Sequence, residues 1–172
     1  MARLPATGPG GQSIGDQIRI GPVKVIGRNS AATRPTRPLL ATFADQIDLL
    51  GYDLDPATRE PGASFALTLY WRARGRPSAD YTVFVHYLDS GGRLLAQADS
   101  PPQAGSYPTS LWDSDEVIAD VHRVPPAPAG APGPARFEVG LYELASGRRV
   151  AVVDVGGGPA GDFVVVPVPA AR

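Results

Sequence analysis

Side-chain alternation over residues 65–72 constrains this chain more than any other feature. Phe65, Leu67, Leu69 and Trp71 fall on one face of an extended segment, and Ala66, Thr68, Tyr70 and Arg72 on the other. A period of two predicts a strand with one face given to a core. Arg74-Gly75-Arg76-Pro77 interrupts it, because proline offers no ladder donor and glycine weakens a strand. Tyr81–Leu88 then brings a second run rich in β-branched and aromatic residues. Both of its faces are largely apolar, which predicts a central strand. Asp89-Ser90-Gly91-Gly92 ends it with turn chemistry. Together the two runs read as a hairpin across a basic turn.

The rest of the chain repeats this grammar. Ile18–Ile26 alternates weakly and reads as an edge strand, given Pro22. Arg28–Pro38 reads as a polar, basic loop. Within Leu40–Tyr52, the stretch Ile47–Tyr52 reads as a strand, with a short helix over Ala41–Leu50 as the competing assignment. Arg93–Asp99, Glu116–Val124, Arg136–Glu143, Arg149–Val155 and Asp162–Val168 complete the set, separated by Pro- and Gly-rich connections. Roughly eight or nine short strands with turn signals at this spacing predict an all-β, two-sheet β-sandwich of Ig-like or jelly-roll type. Residues 1–13 read as a disordered tail or linker, and residues 14–172 as a single β-sandwich domain.

Composition narrows the function classes. The 172 residues suffice for one domain with a real core. Charged residues make up 19% and the formal net charge is −1, so no global field draws nucleic acid or an anionic membrane. Cysteine is absent, which removes disulfides, Cys-based zinc sites and thiol nucleophiles. No apolar run is long enough to span a bilayer, and Met1–Gly11 lacks a signal-type apolar core. The 20 glycines and 19 prolines are clustered as punctuation between strands. Lys24 is the only lysine among many arginines, a bias typical of GC-rich genomes.

Two familiar patterns fail their context. Gly11-Gln12-Ser13-Ile14-Gly15 fits G-x-S-x-G, but a nucleophile elbow needs a buried strand before it and a helix after it. Gly156-Gly157-Gly158-Pro159-Ala160-Gly161 fits G-x-G-x-x-G, but the residues that follow read as a strand, so it is a hairpin loop. His86 and His122 each lie mid-strand among apolar residues and read as packed histidines rather than metal ligands. No catalytic residue, metal site or cofactor is assigned.

Carboxylates and aromatics leave a binding reading open. Asp113, Asp115 and Glu116 cluster after Trp112, and Asp53 and Asp55 flank Leu54, but neither has EF-hand spacing. Tyr70 lies on a strand's second face, and Tyr107 and Trp112 share one long loop. An exposed coplanar set of these rings would stack on sugar faces, with Asp113 or Asp115 accepting from hydroxyls. The competing reading packs the same rings in the core. The candidate ligand-binding set is therefore Tyr70, Tyr107, Trp112, Asp113 and Asp115.

A string of motifs carries a family resemblance. In order it runs Leu49-Leu50-Gly51-Tyr52-Asp53, Pro61-Gly62, Leu69-Tyr70-Trp71-Arg72-Ala73, Tyr81–His86 and Asp99-Ser100-Pro101-Pro102. It continues with Tyr107–Trp112, Glu116–Asp120, Val139-Gly140-Leu141-Tyr142 and Gly147-Arg148-Arg149. Over Phe43–Val155 the chain resembles the C-terminal β-sandwich domain of bacterial membrane glycosyltransferases of the dolichyl-phosphate-mannose-protein mannosyltransferase-like, family 39 type. It departs at Asp115-Glu116, where a Gly-Glu turn is expected. The resemblance implies a non-catalytic, extracytoplasmic accessory domain, tethered to a membrane enzyme and positioning a glycan, an acceptor or a protein partner. The family's transfer chemistry belongs to its membrane part, so no catalytic residue carries over. An independent carbohydrate-binding module is the alternative, and a hydrolase a weaker one.

Overall fold

The computed structural model describes residues 6–7, 13–15, 34–55, 64–128, 134–153 and 157–168. In chain order the strands are β1 (Ala6–Thr7), β2 (Ser13–Gly15), β3 (Arg37–Phe43), β4 (Ile47–Leu54), β5 (Phe65–Ala73) and β6 (Tyr81–Asp89). They continue with β7 (Leu94–Gln97), β8 (Val117–Val124), β9 (Pro134–Glu143), β10 (Val152–Val153), β11 (Pro159–Gly161) and β12 (Val164–Pro167). Sheet 1 has the order β11-β10-β3-β4-β5-β8, and sheet 2 the order β12-β9-β6-β7. Every pairing is antiparallel. The two sheets pack face to face, so the molecule is an all-β sandwich. β1 and β2 pair separately, and this short ribbon stands where composition alone suggests a tail. The expected strand at Ile18–Ile26 lies outside the described residues.

The alternation in β5 sets the core. Leu67, Leu69 and Trp71 are fully buried, and Val139 and Leu141 of β9 meet them from the opposite sheet. Trp71 packs edge-on against Phe43, with ring centroids 5.7 Å apart. β4 keeps its inward parity only through a bulge. Leu49 lies opposite Trp71 and Gly51 opposite Tyr70, so Leu50 is the extra residue, after which Tyr52 and Leu54 face inward opposite Leu69 and Leu67. Gly51 is required there, since a Cβ would lie 2.3 Å from the Arg37 carbonyl oxygen. β6 is central in sheet 2, flanked by β9 and β7, as its two apolar faces predict.

One expectation changes and one choice of reading is resolved. β5 and β6 do not form a hairpin: β5 belongs to sheet 1 and β6 to sheet 2. Residues 74–80 are long enough to carry the chain across the sandwich, and both strands then bury their apolar faces in the same core. Periodicity fixes which face is buried, not which strand is the neighbour. Ile47–Tyr52 lies in β4 as read, the competing helix over Ala41–Leu50 does not form, and residues 40–43 belong to β3, so the stretch is the β3–β4 hairpin. Ala44 and Asp45 both take positive φ (45° and 56°), and the Gln46 N–H donates to the Phe43 carbonyl at 2.9 Å. Two left-handed residues make a hairpin turn, but Ala-Asp lacks the Asn-Gly signature that announces one.

Candidate functional site

The five residues singled out from sequence do not assemble. Tyr70 lies on the outer face of sheet 1 but is only 6% exposed. Its hydroxyl donates to Asp53 Oδ2 at 2.6 Å, while Asp53 Oδ1 accepts the backbone N–H and the hydroxyl of Thr36. Burial and the adjacent Asp53 carboxylate push the Tyr70 phenol up to about 12. Burial pushes Asp53 the other way from its hydrogen bonds, but the donors from Thr36 and Tyr70 outweigh it and hold the carboxyl below its ordinary range. This is a strut rather than a stacking surface.

Trp112 is 1% exposed and joins the core. Its indole N–H donates to the Tyr107 carbonyl at 3.2 Å. The Tyr107 hydroxyl lies 2.8 Å from Glu116 Oε2, which also accepts the Asp113 N–H at 3.1 Å. Of the two readings of these rings, Trp112 follows the packing one: a long Pro-rich loop needs its own anchor, and Trp112 supplies it by burying its ring. Asp113 and Asp115 are exposed at the loop's end. Asp115 takes φ 63°, the conformation a glycine would adopt freely, and its N–H donates to the Ala73 carbonyl at 2.8 Å. The left-handed turn survives without its glycine because Asp tolerates that region better than most residues.

A different surface gathers chemistry that the sequence does not flag. On the outer face of sheet 2, β6 presents Phe84 and His86, with Gly140 and Glu138 of β9 opposite them. The Phe84 ring fills the space over Gly140, where a Cβ would come within 2.4 Å of Phe84 Cζ. His86 stacks obliquely on Phe84 at 4.9 Å, and Tyr142 lies 6.4 Å from the same ring. The Arg149 guanidinium sits 4.4 Å above Phe84 and bonds Asp162 at 3.4 Å. Asp99 lies 3.6 Å from His86 Nε2, and Arg136 pairs with Glu138 at 3.0 Å. Phe84 is covered, but His86, Tyr142, Glu138 and Asp99 remain part-exposed. The parity of Phe84 and His86 was legible. The partners from β9, from the residues after β7 and from the β11–β12 connection come together only in three dimensions.

The other histidine is sealed. His122 and Asp120 both point inward from β8, 2.7 Å apart, with fully buried side chains. A substrate has no access to them. The G-x-S-x-G serine begins β2, within a strand rather than at a strand-to-helix elbow. Pro159–Gly161 of the G-x-G-x-x-G match forms β11, paired with β10, and β12 follows it instead of a helix. Among the described residues, no group of three or more His, Asp or Glu side chains is placed to hold a metal ion. No described helix is long and apolar enough to cross a membrane. In comparisons with family models, curated proteins and solved structures, the chain matches none.

Proposed function

We propose that this sandwich is a non-catalytic accessory domain of a bacterial membrane glycosyltransferase, and that the outer face of sheet 2 holds a neutral polar ligand of glycan type. The motif string over Phe43–Val155 motivates the parent enzyme. One observation supports the ligand: His86 and Tyr142 flank a Phe84 ring among charges that are already paired, Arg136 with Glu138 and Arg149 with Asp162. Aromatic rings offer an apolar face to a sugar ring, and fixed carboxylates and guanidinium groups orient its hydroxyls. Internal pairing leaves no strong field, which suits an uncharged ligand better than a phosphate or a polyanion.

The test is a glycan screen of the purified chain, followed by calorimetric titration at millimolar ligand, since shallow sites of this kind bind at roughly −4 kcal/mol. The expected result is binding that falls at least tenfold in a His86→Ala/Tyr142→Ala variant whose melting temperature stays close to the parent's. Binding unchanged in that variant places the ligand elsewhere, and no binding to any glycan at millimolar concentration rejects the ligand assignment. Turnover of a glycoside or ester, abolished by a single change in this chain, would overturn the non-catalytic reading.

A further inference from the structure

We propose that β8 is a docking edge for a second copy of this chain, the two strands pairing antiparallel about Asp120 so that sheet 1 runs on from one copy into the next. Among the described residues, sheets 1 and 2 end in β11, β8, β12 and β7. β11 has three residues, β7 four, and β12 four with Pro167 among them, so each offers few open groups. β8 has eight residues and pairs with β5 at eight successive positions without a bulge. It contains no proline or lysine, the residues that most often blunt an edge.

The open side of β8 follows from one contact. The Ala119 carbonyl accepts from Gln103 Nε2 at 3.3 Å, so it points away from β5. Along an antiparallel strand the N–H and carbonyl of one residue point the same way, and successive residues alternate. Val117, Ala119, Val121 and Arg123 therefore turn their backbone to the open edge and their side chains to the outer face of sheet 1. Among the described residues, no group other than the Gln103 amide bonds to the backbone of this row. Val117 is 37% and Val121 52% exposed, two large apolar side chains four residues apart on an unpaired edge.

The charge pattern selects the occupant. Asp113, Asp115 and Glu116 precede β8, and Arg123 stands near its end. Arg123 is exposed and makes no ion pair among the described residues. The exposed Asp115 carboxylate receives the Ser114 hydroxyl at 3.4 Å. A strand acidic at its start and basic at its end complements its own antiparallel copy twice over. Pairing about Asp120 sets Ala119 against Val121 of the second copy and Val117 against its Arg123, which comes alongside the acidic start. The open N–H and carbonyl groups then meet each other, and Ile118, Asp120 and His122 keep facing their own core. The exposed Gln103 amide yields the Ala119 carbonyl to the incoming Val121 N–H, one hydrogen bond exchanged for another. Arg72, opposite Val117 on β5, is already held by Asp48 at 2.6 Å and adds little repulsion.

A single paired edge buries less than a standard interface, so the association is read at high concentration. Sedimentation of the full chain from about 10 µM to about 1 mM should show a monomer–dimer equilibrium. Val121→Lys puts a charge into the paired strip and should weaken the dimer at least about tenfold, with the melting temperature close to the parent's because the site is exposed. Arg123→Glu sets like charges together and should weaken it more at low salt than at high. Leu94→Lys, on the β7 edge of the other sheet, should leave it unchanged. In the parent chain, the Val121 and Arg123 amides should exchange with deuterium more slowly as the concentration rises through the dimer range. A chain still monomeric at about 1 mM, a dimer indifferent to Val121→Lys, or edge amides that exchange equally fast in monomer and dimer overturns the proposal.

Discussion

Two buried residues show how side-chain identity is fixed from opposite directions. Trp71 fills the centre of the core, yet its indole N–H has no hydrogen-bond partner among the described residues. Packing alone retains it. Trp71→Ala should cost about 3–5 kcal/mol in denaturant titration, and Trp71→Phe clearly less, because the ring is kept and an unsatisfied donor is removed. Asp48 is the reverse case, a fully buried carboxylate on the outer side of sheet 1. It accepts the Arg72 Nη2–H at 2.6 Å, and the Thr42 hydroxyl and the Arg74 Nε–H at 2.8 Å each. Burial pushes its carboxyl up, but the donors from Arg72, Thr42 and Arg74 together prevail and hold it below the ordinary carboxylate range. A group depressed in the folded state contributes fully above its unfolded pKa, here about 4, and loses that contribution as pH falls through the lower, folded value. Asp48→Asn should therefore destabilise by about 1–3 kcal/mol at neutral pH, with the gap to the parent closing below about pH 4. A gap constant from pH 7 to pH 3 would contradict that assignment.

At the scale of elements, the connections do as much work as the strands. The crossing from β5 to β6 and the long loop from β7 to β8 are docked on one another around one buried hydroxyl. Thr109, fully buried, accepts the Tyr81 N–H at 3.0 Å and donates to the Ala79 carbonyl at 2.7 Å. Thr109→Val preserves shape and leaves both backbone groups unsatisfied, so it should cost about 1–3 kcal/mol. Thr109→Ser, which restores the hydroxyl, should recover much of that loss; a Ser variant no better than Val would assign the role to packing. Nearby, Arg76 Nε–H reaches the Ser110 carbonyl at 2.9 Å, and the Ser110 N–H meets Asp80 at 3.0 Å. The basic turn first read as a hairpin tip is the seat of this loop.

For the whole molecule, one cluster joins Phe43, Leu69 and Trp71 of sheet 1, Val85, Val139 and Leu141 of sheet 2, and Trp112 of the loop. Neither sheet has a core without the other. Unfolding should therefore be a single transition, with near-ultraviolet signals from Trp71 and Trp112 coinciding with the far-ultraviolet strand signal. Separate midpoints would divide the sandwich into independent units.

The sequence by itself determined the fold class and the buried faces. Leu67, Leu69 and Trp71 alternate strictly, and a period of two leaves only one way to bury them. The central place of β6 followed from its two apolar faces, and the failure of the G-x-G-x-x-G motif from the strand after it. What only the tertiary structure decided was adjacency. Whether β5 pairs with β6 or faces it across the core depends on which arrangement buries both apolar faces, and alternation is the same in either. Tyr70 and Trp112 are polar-tipped rings that suit a surface or an interior equally. Their places follow from Asp53 and the Tyr107 carbonyl, groups 17 and 5 residues away in sequence. The outer face of sheet 2 arises in the same way, from residues on separate strands that no local pattern connects.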